Sequence, residues 1–171
     1  MNGITINHSS VGKAVVLVEL KISYNGSPHD SFHTLNIISG NCVLRNCNIT
    51  SSSGPGVYTQ FPPSNMIVQG CSVHGGAQGG IFAVDGAKLS LNQSHFCHNA
   101  ATGLELREGA VASLDACYFY NNGNQGIITR MRAGRLNAED CEIHSHHLES
   151  GVLVGEAEAT VNGCNFYGNN L

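Results

Sequence analysis

One column of small residues constrains this chain more than any other feature. Cysteine, with one serine among them, recurs at Cys47, Cys71, Ser94, Cys117, Cys141 and Cys164, spaced by 24, 23, 23, 24 and 23 residues. Glycine keeps the same period at Gly56, Gly80, Gly103, Gly126 and Gly151, spaced by 24, 23, 23 and 25. Two columns that share one period from Cys47 to Gly151 define a unit repeated along the chain. A period of this length indicates a solenoid, a propeller or an array.

The residues around the columns decide among these. Three positions before the cysteine slot stand Leu44, Val68, Leu91, Leu114, Ala138 and Val161, and two after it Ile49, Val73, Phe96, Phe119, Ile143 and Phe166. One and three positions after each glycine stand pairs such as Ile81/Ala83 and Leu104/Leu106. These are period-two signals of very short strands, broken by Asn, Gly and Ser. Strands this short cannot hold a conventional sheet, but stacked at about 4.8 Å they build continuous parallel sheets with like residue above like. No 3.6-residue periodicity supports a helical repeat, and a propeller blade needs about 40 residues. The chain therefore reads as an all-β, right-handed, single-stranded parallel β-helix of about seven coils of 23–24 residues, one domain over residues 1–171.

The N-terminal third fits the same repeat with insertions. Ile4 and Ile6 align with Leu104 and Leu106, as do Leu35 and Ile37, and Val15, Leu17, Leu20 and Ile22 align with Cys42, Leu44, Cys47 and Ile49. Ser23 to Thr34 is then an enlarged loop, and Gln60 to Asn65 a smaller one. The glycines are expected where the chain turns sharply, and Asn99, Asn122 and Asn169 at left-handed bends with side chains bonded along the stack. Neither end carries a helix that would cap a solenoid, so a segment of a longer protein is expected.

Composition excludes several functions. Only 12% of residues are charged and the net charge is −4, with no basic stripe for nucleic acid and no polybasic run for a membrane surface. No signal-peptide pattern opens the chain and no apolar run would span a bilayer. Seven cysteines leave at least one thiol unpaired, which suggests a reducing, cytoplasmic or nuclear setting.

Candidate chemistry is sparse. The cysteine column spreads over six rungs, whereas metal ligands converge on a point, so it reads as small apolar side chains filling a narrow interior. His144, His146 and His147 read as solvated turn residues, and neither a metal nor another cofactor is expected. An outward stripe is the stronger feature: Tyr58, Phe82, Glu105, Ile128 and Leu153 follow the glycines by two residues, beside Arg107 and Arg130, which are expected to stack. Exposed apolar surface with aromatic and arginine side chains is the composition of interface anchors. Tyr58, Phe82, Arg107, Ile128, Arg130 and Leu153 are the expected protein-binding residues.

The repeat resembles the right-handed parallel β-helix repeat family. Within it, Cys71 to Val84 is similar to the β-helix domains of animal F-box proteins and of the spindle-associated SHC-binding proteins. That resemblance implies a protein-recognition platform without chemistry of its own, with a protein partner and neither nucleic acid nor membrane. A second resemblance lies in the enlarged loop. Ser27-Pro28-His29-Asp30 resembles the Asp-Pro-His-Asp/Glu motif of alginate C5-epimerases, which implies a polyuronate lyase or C5-epimerase-like enzyme with Tyr24, His29 and Asp30 as catalytic groups. Ser27 stands where that family has its leading Asp.

Overall fold

The structure is a computed structural model and describes residues 4–7, 14–24 and 33–170. Each coil contributes three strand segments. The first holds β1 (Ile4–Asn7), β2 (Ala14–Val18) and β3 (Lys21–Tyr24); the second holds the long β4 (Leu35–Arg45), which bends across two faces, and β5 (Asn48–Ser51). Next come β6 (Pro55–Thr59), β7 (Ser64–Gln69) and β8 (Ser72–His74), then β9 (Gly79–Ala83), β10 (Lys88–Asn92) and β11 (His95–Cys97). The fifth coil has β12 (Thr102–Leu106), β13 (Val111–Asp115) and β14 (Tyr118–Tyr120), and the sixth β15 (Ile127–Thr129), β16 (Arg135–Glu139) and β17 (Glu142–His144). The last has β18 (Val152–Val154), β19 (Glu158–Asn162) and β20 (Asn165–Tyr167). The seven rungs of the described residues span about six turns of an all-strand parallel solenoid.

The strands assemble into three faces. Face one runs β1, the first part of β4, β6, β9, β12, β15 and β18; face two runs β2, the rest of β4, β7, β10, β13, β16 and β19. Face three is the seven-stranded sheet of β3, β5, β8, β11, β14, β17 and β20. Pairing is parallel and largely in register, as where Leu89 and Leu91 sit against Ala112 and Leu114. The N-terminal alignment holds, with Ile4 beside Leu35, Val15 beside Cys42 and Ile22 beside Ile49. Strand β3 extends through Ser23 to Tyr24, which pairs with Ser51, so Tyr24 lies on a strand and not in the enlarged loop.

Alternation drives the burial. In β7 the pattern from Ser64 to Gln69 is strictly buried then exposed. Inward columns such as Ile49, Val73, Phe96, Phe119 and Ile143 are wholly buried, and the rings of Phe96 and Phe119 stack at 4.8 Å. Burying one such side chain contributes roughly 1.5–3 kcal/mol.

The corners explain two features differently from their first reading. Left-handed backbone occupies one position before the cysteine slot, at Asn46, Gly70, Gln93, Ala116, Asp140 and Gly163, with φ from 48° to 62°. It recurs one residue before the asparagine column, at His98, Asn121, Ser145 and Gly168, so Asn99, Asn122 and Asn169 themselves are not the bent residues. The column glycines are not left-handed either. They are needed because successive coils touch there: a Cβ on Gly80 would lie 2.5 Å from the Gly103 carbonyl oxygen, and one on Gly103 2.7 Å from that of Gly126.

A candidate recognition face

Strand register on face one places Asn36, Tyr58, Phe82, Glu105, Ile128 and Leu153 one above another, pointing away from the core. The ring of His33 stacks on Tyr58 with centroids 4.3 Å apart, and Tyr58 on Phe82 at 5.4 Å. The Arg107 guanidinium continues the stack, 4.6 Å from the Phe82 centroid. Such a cation over a ring is favourable by about 0.5–2 kcal/mol, depending on how far it is desolvated.

Arg107 and Arg130 do not stack on each other. They converge on Glu105, whose Oε1 accepts from Arg107 Nε at 2.7 Å and lies 2.6 Å from its Nη2 and 3.5 Å from Arg130 Nε. A carboxylate between two guanidiniums removes the repulsion that stacked arginines would suffer. The column thus passes from three aromatic rings to a cation, an anion and a second cation. Beside it lies a cavity of about 410 Å³ lined by His33, Pro55, Tyr58, Gln78, Phe82, Glu105 and Arg107. Burial raises the Tyr58 hydroxyl pKa, and Asp85 and Glu108 add to the shift, so Tyr58 is a neutral donor at physiological pH. Burial also lowers the pKa of His33.

Two expected stripe residues behave differently from each other. Leu153 is exposed as expected, at 44%. Ile128 is not: it is 1% exposed, so it packs beneath the surface and offers a partner no contact area. Outward direction on a strand does not guarantee exposure: Ile128 lies in register between Glu105 and Leu153, and of the two apolar residues only Leu153 is open to solvent. Tyr24 sits on face three, away from this column. Ser27, His29 and Asp30 lie outside the described residues.

Sequence reasoning missed a second ordered surface. On the outer side of face three, His95 stacks on Tyr118 at 4.7 Å, and His144 lies between Tyr120 and Tyr167 at 5.5 and 4.4 Å. His144 is therefore an outward strand residue of β17, not a turn residue. The signal was present: in a three-residue strand with an inward centre, both flanking residues must point out.

The cysteine column is polar in its bonding, not merely a small apolar filling. Thiols of Cys47, Cys71, Cys117 and Cys141 donate to the carbonyl two residues earlier at 3.2–3.4 Å. Cys71 Sγ also accepts the backbone N–H of Cys47, and Ser94 Oγ that of Cys71. All seven cysteines are free thiols, and burial pushes Cys42 up to about 12. Among the described residues no three His, Cys, Asp or Glu side chains converge to hold a metal, and no helix is long and apolar enough to cross a membrane.

Comparison with curated proteins and with solved structures gave no match. The family described as right-handed β-helix region matches residues 2–166, nearly the whole chain. With the handedness that this match supplies, the chain belongs to the right-handed β-helix family.

Proposed function

We propose that this β-helix is a non-catalytic recognition module that binds a protein partner through the outer side of face one. The observation that carries the reading is how the rings are used. Both faces of Tyr58 are occupied, by His33 and Phe82, and both faces of Phe82, by Tyr58 and Arg107. A sugar ring packs on an open aromatic face, and neither ring offers one. The stack instead presents ring edges, a phenolic hydroxyl and two prearranged guanidiniums, the groups that dominate protein interfaces. Because stacking already fixes these side chains, a partner loses little rotamer entropy in ordering them.

The resemblance to F-box and SHC-binding β-helices supports a platform of this kind, with recruitment of a substrate protein as one such role. Seven free thiols support a cytoplasmic or nuclear setting. The strip from Asn36 to Leu153 crosses five coil steps, about 24 Å at sheet spacing, enough for an extended segment of about seven residues.

The test replaces Tyr58, Phe82 and Arg130 together with alanine and measures capture of partners from a lysate, with circular dichroism to verify the fold. Loss of the captured protein supports the assignment, and undiminished capture by a folded variant overturns it. A parallel incubation with polyuronates distinguishes the catalytic alternative. New absorbance at 235 nm or epimerised residues by NMR, lost in His29→Ala, would replace the recognition reading with an enzyme.

A further inference from the structure

We infer that the outer side of face two is a self-association surface, on which a second copy of this chain seats across a two-fold axis parallel to the solenoid axis. It is separate from the face-one strip and leaves that strip free.

Register arranges the outward residues of this face in three columns. The leading edge runs from Ala14 to Glu158, the trailing edge from Val18 to Asn162, and the central column from Val16 to Thr160. Formal charges occupy the edges alone. Lys88, Arg135 and Glu158 stand on the leading edge, Arg45, Asp115 and Glu139 on the trailing one, and the central column has none. That column opens with three β-branched residues in successive rungs, Val16, Val43 and Ile67. Val16 is 52% and Ile67 43% exposed, with Val18 beside them at 44%. An uncharged centre inside a charged rim is the layout of a protein interface. Stiff β-branched side chains lose little rotamer freedom when a partner covers them.

The distribution of charge points to a second copy as the occupant. A two-fold axis parallel to the solenoid sets each rung against the same rung of the second copy and exchanges the two edges. Val16, Val43 and Ile67 then meet themselves, Arg45 faces the Asn41 amide, and Arg135 faces Glu139 of the second copy. Asp115 of that copy falls between Lys88 and Arg135, one coil step of about 4.8 Å along the stack from each. Arg135 already pairs with Glu158 of its own chain through Nε and Nη2, which leaves Nη1 for the incoming carboxylate. Beside it a hollow of about 520 Å³, with Leu89, Val111 and Ala112 in its lining, gives the Glu139 side chain room. A two-fold axis along the strands, with the whole face overlapped, would instead lay Val43 on Asn137 and Lys88 on Lys88. The face measures about 29 by 16 Å, about 900 Å² of flat sheet over two copies, which fits a reversible dimer.

The experiment is sedimentation equilibrium of the whole chain. Between about 1 and 200 µM it should show monomer and dimer in exchange and no larger species, as an interface of this size allows. Ile67→Asp puts a charge into the central strip and should raise the dissociation constant about tenfold or more, with circular dichroism unchanged. Arg135→Glu and Glu139→Arg should each weaken the dimer by setting like charges against each other. An equimolar mixture of those two variants should dimerise as well as the parent, because unlike charges then meet at both contacts. The mixture decides the matter even where Ile67→Asp disturbs the fold, since neither of its components alters the strip. A chain that stays monomeric throughout, or an Ile67→Asp variant that dimerises like the parent, overturns the assignment. So does a mixture that associates no more tightly than its separate components, or growth beyond the dimer, which end-to-end stacking of coils would give.

Discussion

Ser94 and His146 show what the stack demands of single residues. Ser94 replaces a cysteine without loss because its hydroxyl donates to the Asn92 carbonyl at 2.7 Å and accepts the Cys71 N–H at 3.1 Å, as the thiols do in other coils. His146 is a less complete replacement. It fills the asparagine slot between Asn122 and Asn169, and its Nδ1 accepts the Asn122 N–H at 3.3 Å. Asn99, Asn122 and Asn169 each also donate to a carbonyl of the preceding coil, whereas His146 Nε2 is buried without a hydrogen bond. Burial, with His144 and His147 nearby, pushes the pKa of His146 down from 6.5 to about 4. Since the folded pKa is the lower one, the contribution is intact above pH 6.5 and is lost as pH falls toward 4. The unfolded chain takes a proton there that the folded chain refuses. The full window amounts to about 3 kcal/mol. Urea midpoints at pH 7 and 4.5 should show a loss of that order, largely absent in His146→Asn, where an amide restores the missing donor. Parallel losses in both proteins would place the acid sensitivity elsewhere.

At the scale of the element, three to five residues suffice for a strand because each is paired on both sides along the stack. The cost is tolerance: coils meet backbone to backbone at the glycine column. Gly103→Ala would set a methyl 2.7 Å from the Gly126 carbonyl oxygen and 2.9 Å from Phe119 Cδ1. The carbonyl belongs to the backbone immediately before β15 and cannot rotate away, so β12 and β15 must part. A loss of about 1–3 kcal/mol is expected from overpacking of this kind. Amide exchange should concentrate the increased opening in those two strands, and uniform acceleration along the chain would contradict the local origin. The same short elements hid the face-three rings. A three-residue strand gives its flanking residues an outward direction, but too little alternation to show that Tyr120 and His144 stack on each other along a sheet.

Across the whole molecule, contact runs from coil to neighbouring coil, so stability should behave as a chain of nearest-neighbour couplings. Phe96→Leu and Phe119→Leu, which share a stacked contact, should be non-additive by about 0.5–3 kcal/mol, while Ile49→Val and Ile143→Val, four coils apart, should add within about 0.5 kcal/mol. Equal coupling in both pairs, measured by double-mutant cycles in urea, would argue for a single concerted core. This same one-dimensionality makes the fold legible from sequence. A residue's partner above and below is the residue one period away, so the cysteine and glycine columns and the Ile49 to Ile143 line determine strands, register and core, including the match of Val15 with Cys42 across an insertion. The surface follows no such rule. Whether an outward residue is exposed depends on side chains in adjacent coils and on the corners beside it. Only tertiary packing could bury Ile128, bring Arg107 and Arg130 onto Glu105 instead of onto each other, and align His33 with Tyr58 from outside the repeat. Periodicity therefore sets what lies inside this solenoid, and the lateral contacts that periodicity does not encode decide what it presents to a partner.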